Sequence, residues 1–323
     1  MSILVWNCRE LGNPLTVNVL RNLTKEKYPN LVFLVETKCR RNRMEVVRRC
    51  LQMDGCFSVD CVGFSGGTAL IWKEDWSVKV INYTRWHISA LIQEEGSGPT
   101  WQFTGFYGHP DTGKRSSSWQ LLKMLKPTSS IAWLCAGDFN KILQQSDKIC
   151  GASRPYKQIE EFRQAVECCG LNDIQSYGQE FTWSNNRNGR EFTKEKIDRA
   201  LGNKEWNDLY IYGVCNVLPA IKSDHSPLSI SLHNTNHGRK NRRWCFRYKM
   251  AWELKEECQQ VVSEAWQKTC TTDCKAKLLR TKLELCQKDL LTWRQTLKQQ
   301  EDMVTKRRNK VLGTFKTLVR VST

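Results

Sequence analysis

Short apolar runs bounded by turn residues recur through the first 232 positions. Ile3 to Trp6, Leu31 to Val35, Ala69 to Trp72, Ser77 to Tyr83, Ser89 to Gln93, Trp101 to Tyr107, Ile131 to Cys135, Gly213 to Leu218 and Leu228 to Leu232 read as strands. They are rich in β-branched and aromatic residues, and Gly, Asn, Pro or Asp closes them. Helical stretches interleave, at Val17 to Glu26, Met44 to Met53 and Ser117 to Leu125. Between Tyr156 and Cys169, apolar residues fall at Ile159, Phe162, Ala165, Val166 and Cys169, a single helical stripe. Strands and helices mixed in this way predict an α/β domain with sheets packed centrally and helices outside.

The pattern changes after residue 233. His233 to Asn241 is polar and aperiodic and reads as a linker. From Met250 to about Thr317 there is no proline, and glycine appears only at Gly313. Leu278, Leu279, Leu283, Leu285, Leu290, Leu291 and Leu297 recur at roughly helical spacing among Lys, Gln and Glu, as in one long helix or a helical hairpin. The predicted organisation is a domain over 1–233, a linker over 234–243 and a basic helical tail over 244–323.

Composition adds a direction. The net charge is +17, and from His233 onward 21 Lys and Arg face 9 Asp and Glu, so most of the excess lies in the tail. Such a surplus favours a polyanion, because phosphate contacts release counterions; the alternative is a solvated, salt-bridged helix surface. The 15 cysteines are scattered and form no paired CxxC, which reads as reduced thiols in a nuclear or cytoplasmic protein. No apolar run is long enough to span a bilayer, and the first residues lack the pattern of a secretory signal.

Three apolar strands end in acidic or amide residues: Leu31 to Val35 before Glu36-Thr37, Ile131 to Ala136 before Gly137-Asp138-Phe139-Asn140, and the segment Ser223-Asp224-His225-Ser226-Pro227 before Leu228. Carboxylates at strand ends on one sheet edge make an oxygen cluster suited to Mg²⁺ or Mn²⁺. Each alone has a plainer reading, as a solvated strand end, a type I turn or a helix cap. Their order along the chain is the stronger signal.

The series Trp6-Asn7, Glu36-Thr37, Tyr107-Gly108, Gly137-Asp138-Phe139-Asn140, Ile197-Asp198-Arg199 and Ser223-Asp224-His225-Ser226-Pro227 resembles the endonuclease/exonuclease/phosphatase superfamily. Trp6-Asn7-Cys8-Arg9, Phe181-Thr182-Trp183-Ser184-Asn185 and Ile197 to Leu201 are most similar to the endonuclease domain of plant LINE-type non-LTR retrotransposons. Phe246-Arg247-Tyr248, Trp252, Cys258, Val261-Val262 and Trp266 resemble the segment that joins that domain to a reverse transcriptase. The resemblance implies a four-layer sandwich of two packed mixed sheets with outer helices, and nicking of duplex DNA with a 3′ hydroxyl left behind.

It also implies roles. Glu36 ligates the divalent metal, Asn7 helps hold the metal and the attacking group, and Asp224 shapes the metal or leaving-group side. Asp138 orients and deprotonates water, and Asn140 bonds the phosphate or the water. Asp198 and His225 form a dyad that stabilises the pentavalent phosphate. Tyr107 contacts a phosphate oxygen or packs in the core. Lys38, Arg40, Arg41 and Arg43 form a basic rim for the substrate or an exposed basic helix start, and Thr182 and Trp183 fall where the family has a DNA-facing loop, with Trp183 stacking on a base step or packing inward. Lys306 to Lys310 is a phosphate clamp, a nuclear address or a solvated helix face.

Two positions depart from the pattern. Glu10 stands where the family has glycine, which predicts strain in the turn after the first strand or a negative charge near the DNA. Arg9 stands where the abasic-site repair branch has a second acidic ligand, which implies a leaner metal site. The chain ends before any reverse transcriptase, as a fragment or degenerate copy does. Rival readings are a phosphomonoesterase of the same fold, such as an inositol phosphatase, and an inactive nucleic-acid-binding remnant.

Overall fold

The computed structural model describes residues 1–94, 98–187, 191–232, 255–268 and 281–290, with Leu278, Leu279, Thr292, Trp293 and Thr296. The predicted linker over 234–243, the segment from Phe246 to Trp252 and the basic run from Lys306 to Lys310 lie outside the described residues. The chain divides into two compact units, Met1–Gly238 and Arg239–Thr323.

In chain order the strands of the first unit begin with β1 (Ser2–Asn7), β2 (Leu31–Val35), β3 (Gly55–Val59), β4 (Thr68–Trp72), β5 (Trp76–Thr84), β6 (His87–Glu94), β7 (Trp101–Tyr107) and β8 (Trp133–Asp138). They continue with β9 (Lys148–Ile149), β10 (Asn172–Asp173), β11 (Ser176–Gly178), β12 (Trp183–Ser184), β13 (Lys194–Glu195), β14 (Asp198–Gly202), β15 (Val214–Val217) and β16 (Leu228–Ser231). One mixed sheet runs β11-β15-β16-β1-β2-β4-β3, a second runs β10-β14-β8-β7-β6-β5, and β12-β13-β9 form a small third. The helices are α1 (Pro14–Lys27), α2 (Arg41–Cys50), α3 (Arg115–Met124), α4 (Tyr156–Cys168) and α5 (Lys204–Leu209).

Alternation along the strands builds the layers. Ile3 and Val5 of β1 and Leu31, Phe33 and Val35 of β2 pack with Ile88, Ala90, Phe103, Leu134 and Ala136 of the second sheet. Their neighbours Leu4, Trp6, Val32 and Leu34 point the other way, onto Leu20 and Leu23 of α1 and Met44 and Val47 of α2. On the far side, Phe106, Trp133, Cys135 and Leu201 meet Trp119 and Leu122 of α3 and Phe162 and Ala165 of α4. The result is the expected four-layer sandwich. Strands buried on both faces read as continuous apolar runs, which is why β2 is legible as Leu-Val-Phe-Leu-Val.

Several bounds differ from the sequence reading. α1 starts at Pro14, with Asn13 accepting from the Leu15 N–H; proline at the first turn after an Asn cap is a regular helix start. β8 begins two residues later than expected and runs on to Asp138, because it pairs in parallel with β7 from Gln102↔Trp133 to Tyr107↔Asp138. β14 was not expected, since Asp-Arg-Ala-Leu-Gly has no strand pattern; pairing with β8 and burial create it. β3 is likewise half-buried and weakly patterned.

In the second unit, α6 (Glu256–Gln267) buries Cys258 and Ala265. Residues 281–290 are also helical. Lys282 Nζ donates to the Trp266 carbonyl at 2.5 Å and Cys286 Sγ lies 4.0 Å from the Val262 carbonyl, so later residues of one piece meet earlier residues of the other and the two run antiparallel. Among the described residues no helix is long and apolar enough to cross a membrane, and the twelve described cysteines are all free.

Candidate active site

Sheet topology assembles the site. β1 and β2 are parallel with Asn7 opposite Val35, so Asn7 and Glu36 emerge at one end of the first sheet. In the second sheet β7 and β8 are parallel and β14 is antiparallel to β8, which sets Tyr107, Asp138 and Asp198 side by side in one row. Because the sheets pack face to face, both rows meet at the same edge. His225 arrives from the loop before β16, held by Ser223 Oγ, which accepts from the His225 N–H at 3.1 Å and donates to the Asn7 carbonyl at 2.8 Å.

Asn7 is the hub. Its Nδ2 lies 3.2 Å from Glu36 Oε1, 2.9 Å from Asp138 Oδ2 and 3.4 Å from His225 Nε2. Its Oδ1 accepts from the Arg9 N–H at 3.2 Å. So oriented, Asn7 spaces the carboxylates through its amide nitrogen. Tyr107 donates its hydroxyl to Glu36 Oε1 at 2.8 Å, and burial pushes its pKa up, which keeps the proton on. With two donors on Oε1, Glu36 keeps Oε2 for another partner. Asn140 donates its N–H to Asp138 Oδ1 at 2.8 Å, and its Nδ2 bonds the Gly108 carbonyl and Asp138 Oδ2.

Three of these strand-end residues adopt left-handed backbone: Arg9 at φ 58°, Glu36 at φ 53° and Asn140 at φ 53°. Such conformations cost a side-chain-bearing residue about 1–3 kcal/mol and cluster where geometry serves function. The strain expected at Glu10 falls on Arg9 instead; Glu10 is exposed and has no positive φ.

Asp198 and His225 form the dyad. His225 Nδ1 lies 2.9 Å and 3.1 Å from the two carboxylate oxygens of Asp198, which places the proton on Nδ1. Nε2 faces Asp138 Oδ2 at 3.9 Å and Asp224 Oδ1 at 4.0 Å. Burial disfavours the imidazolium, but Asp198, Asp138 and Asp224 outweigh it and push His225 up to about 9. Burial raises Asp138 to about 7, against the pull of the His225 charge. His225 therefore stabilises the fold fully below its unfolded value of about 6.5, and that contribution is lost as pH rises through about 9. Asp198→Asn removes the main partner of the cation. A pH–rate profile should show the alkaline limb near pH 9 displaced downward by about one unit or more; an unmoved limb contradicts the dyad.

The oxygens fit a hard divalent cation. Glu36 offers Oε2, and Asp224 Oδ1 is buried without a hydrogen-bond partner, its nearest cation being His225 Nε2 at 4.0 Å. Among the described residues, Asp138, Asp198 and His225 also offer ligand atoms within 4.8 Å of one another. An ion there would compete with the hydrogen bond between Asp198 and His225, so the Glu36 side is the better position.

The remaining expected residues are placed as follows. Thr182, expected in a DNA-facing loop, is 1% exposed, and its hydroxyl accepts from the Ile197 and Asp198 N–H groups, so it positions Asp198. Trp183 is half-buried, and its Nε1 donates to Asp224 Oδ2 at 2.8 Å. Arg40 and Arg41 are exposed at the start of α2, whereas Arg43 is tied to the Leu11 carbonyl. Lys38 is half-buried, with φ 51°. Arg199 points to the opposite face from Asp198 and is clamped by Asp147 and Asp173, an internal ion cluster that fixes β14. Sequence reading missed two contacts in the site: Arg9 Nη1 reaches Asp224 Oδ2 at 2.6 Å, and Arg9 Nε lies 3.8 Å from Glu36 Oε2. The signal available was the position of Arg9 two residues after Asn7, at the same strand end.

No family model matches the sequence, and no curated protein matches it. Solved structures do. A 3′-5′ exonuclease (NExo) from Neisseria meningitidis aligns with a TM-score of 0.55 at 18% identity, over 72% of this chain and 99% of that one. An AP endonuclease from Archaeoglobus fulgidus gives 0.55 at 15% identity, over 72% and 99%. The endonuclease domain of TRAS1, a telomere-specific non-LTR retrotransposon, gives 0.53 at 12% identity, over 73% and 99%. The first unit has the fold of the endonuclease/exonuclease/phosphatase nucleases.

Proposed function

We propose that residues 1–233 are a divalent-metal-dependent endonuclease that nicks duplex DNA, of plant LINE-type retrotransposon origin, acting in the nucleus or cytoplasm. The observation that carries this reading is the convergence of Glu36, Asp138 and the Asp198–His225 dyad on one sheet edge, all within the hydrogen-bond network of Asn7 and Tyr107. A bound Mg²⁺ or Mn²⁺, held by Glu36 with Asp224 nearby, would neutralise phosphate charge and stabilise the departing 3′ oxygen.

The side chains supply the rest. Asp138 accepts the proton of the attacking water; a carboxylate raised to about 7 is near the best proton affinity for this work at neutral pH. The water oxygen joins phosphorus and the bond to the 3′ oxygen breaks. The proton held by Asp138 passes to solvent as the 3′ oxygen is protonated, leaving a 5′ phosphate and a 3′ hydroxyl. His225, cationic below about pH 9, presents Nε2 to the non-bridging oxygens as charge grows on them. Exposed Arg40 and Arg41 suit phosphates farther along the duplex.

The test is incubation of the full chain with supercoiled plasmid and Mg²⁺, beside a soluble inositol phosphate. Conversion of plasmid to open circles that stops with EDTA is expected, without phosphate release from the inositol compound. The opposite pattern would make the chain a phosphomonoesterase of the same fold. Inertness to both substrates would make it a remnant.

A further inference from the structure

Arg9 has a place in the site that neither the acid–base residues nor a single metal ion explains. Its guanidinium lies between two carboxylates, with Nη1 2.6 Å from Asp224 Oδ2 and Nε 3.8 Å from Glu36 Oε2. The backbone is committed to this placement. Arg9 holds a left-handed φ of 58°, and the turn is fixed by the Asn7 side chain on the Arg9 N–H, by the Cys8 N–H on the Val35 carbonyl and by the Glu10 N–H on the Cys8 carbonyl. A strained residue whose side chain turns back onto acidic groups at the end of its own strand is a built feature of the site.

Charge balance gives this arrangement its consequence. The edge gathers four carboxylates, Glu36, Asp138, Asp198 and Asp224. The cations beside them are His225 and Arg9. Arg9 supplies a fixed positive charge directly against Asp224 and beside Glu36. The Arg9 guanidinium already holds Asp224 Oδ2 and leaves Asp224 Oδ1 and Glu36 Oε2, 3.8 Å from its Nε, for an ion. Asp224 Oδ2 is saturated by Arg9 and the Trp183 indole N–H, while Oδ1 is buried and unpartnered toward the His225 side. That leaves one ion position on the Glu36 and Asp224 side, since an ion on Asp138, Asp198 and His225 would compete with the hydrogen bond of the dyad.

We propose that Arg9 is the resident second cation of the site, so that the enzyme takes one divalent ion and the guanidinium fills the role of another. The inference rests on the divalent-metal reading above. A guanidinium is always charged and needs no loading, and it offers five N–H groups, of which the contacts to Asp224 and Glu36 use two. The Arg9 side chain is 52% exposed, so part of the guanidinium stays accessible to a phosphate.

The experiment counts ions without using activity. The full chain, free of DNA, is titrated with Mn²⁺ while free Mn²⁺ is followed by electron paramagnetic resonance, for wild type, Arg9→Ala, Arg9→Lys and Arg9→Asp. Thermal melts confirm that each is folded. Wild type and Arg9→Lys are expected to bind one ion, and Arg9→Asp two. Arg9→Ala should bind its first ion at least about tenfold more tightly, because a like charge close to the ion is gone. Two ions on wild type would overturn the proposal. So would unchanged affinity in Arg9→Ala together with a single ion on Arg9→Asp. If Arg9→Asp fails to fold, the wild-type count and the Arg9→Ala affinity decide. Absence of any bound ion on wild type would instead overturn the metal reading, and this proposal with it.

Discussion

Asp138→Asn is expected to lower the turnover number for plasmid nicking about a thousandfold, the scale on which a positioned general base contributes. The substitution keeps the shape of the side chain and removes its ability to take a proton. Asp138 is 1% exposed, accepts from Asn7 and Asn140, and lies 3.9 Å from the imidazole that stabilises the opposite charge. Substrate affinity should change far less, since a group buried at the floor of the site adds little to binding of the duplex. Steady-state kinetics on plasmid separate the two effects. A tenfold loss or less would assign the base elsewhere, and a rise in KM at constant kcat would make Asp138 a binding group.

Gly137→Ala should have the largest effect on the fold. A Cβ at this position would lie 1.9 Å from the Phe106 carbonyl oxygen, a backbone atom in the paired strand β7. Relief requires β7 and β8 to separate at the point where Tyr107 and Asp138 face each other. The expected cost is more than about 4 kcal/mol, so the melting temperature falls by about 10 °C or more, or no folded protein is recovered. Gly63→Ala is the control. Gly63 also has positive φ, 59°, but nothing lies within 4 Å of its missing Cβ, so it should lose only about 1 kcal/mol. Equal melting temperatures for the two variants would contradict the account of β7–β8 packing.

These two residues also mark how far the sequence could be read. Gly137-Asp138 stands out because an apolar run ends there, and β1 and β2 are legible for the same reason: strands buried on both faces are continuous apolar stretches. β14 is not legible. Asp198-Arg199-Ala200-Leu201-Gly202 is buried, yet it carries two charged residues that tertiary contacts alone satisfy, Asp198 by His225 and Arg199 by Asp147 and Asp173. The residues gathered at the edge were visible in their order along the chain. Their roles in the network were not. Thr182 looks like a surface residue in a loop and instead bonds two backbone N–H groups at the start of β14. Arg9 looks like a departure from an acidic pattern and instead pairs with Asp224 and Glu36, residues 215 and 27 positions away. Contacts between side chains on different strands depend on register and on which loops close over the edge, and neither is encoded in local periodicity.

The most direct test of the central claim reads the ends that the chain leaves on DNA. Supercoiled plasmid is incubated with the full chain and Mg²⁺, in parallel with Asp138→Asn, and the products are offered to a DNA polymerase with labelled nucleotides and no phosphatase step. Hydrolysis by the Glu36, Asp138 and His225 site predicts label entering at nicks made by the wild type, because a 3′ hydroxyl is left there, and almost none after incubation with the variant. Equal nicking by the variant, or ends that accept label only after phosphatase treatment, would contradict it.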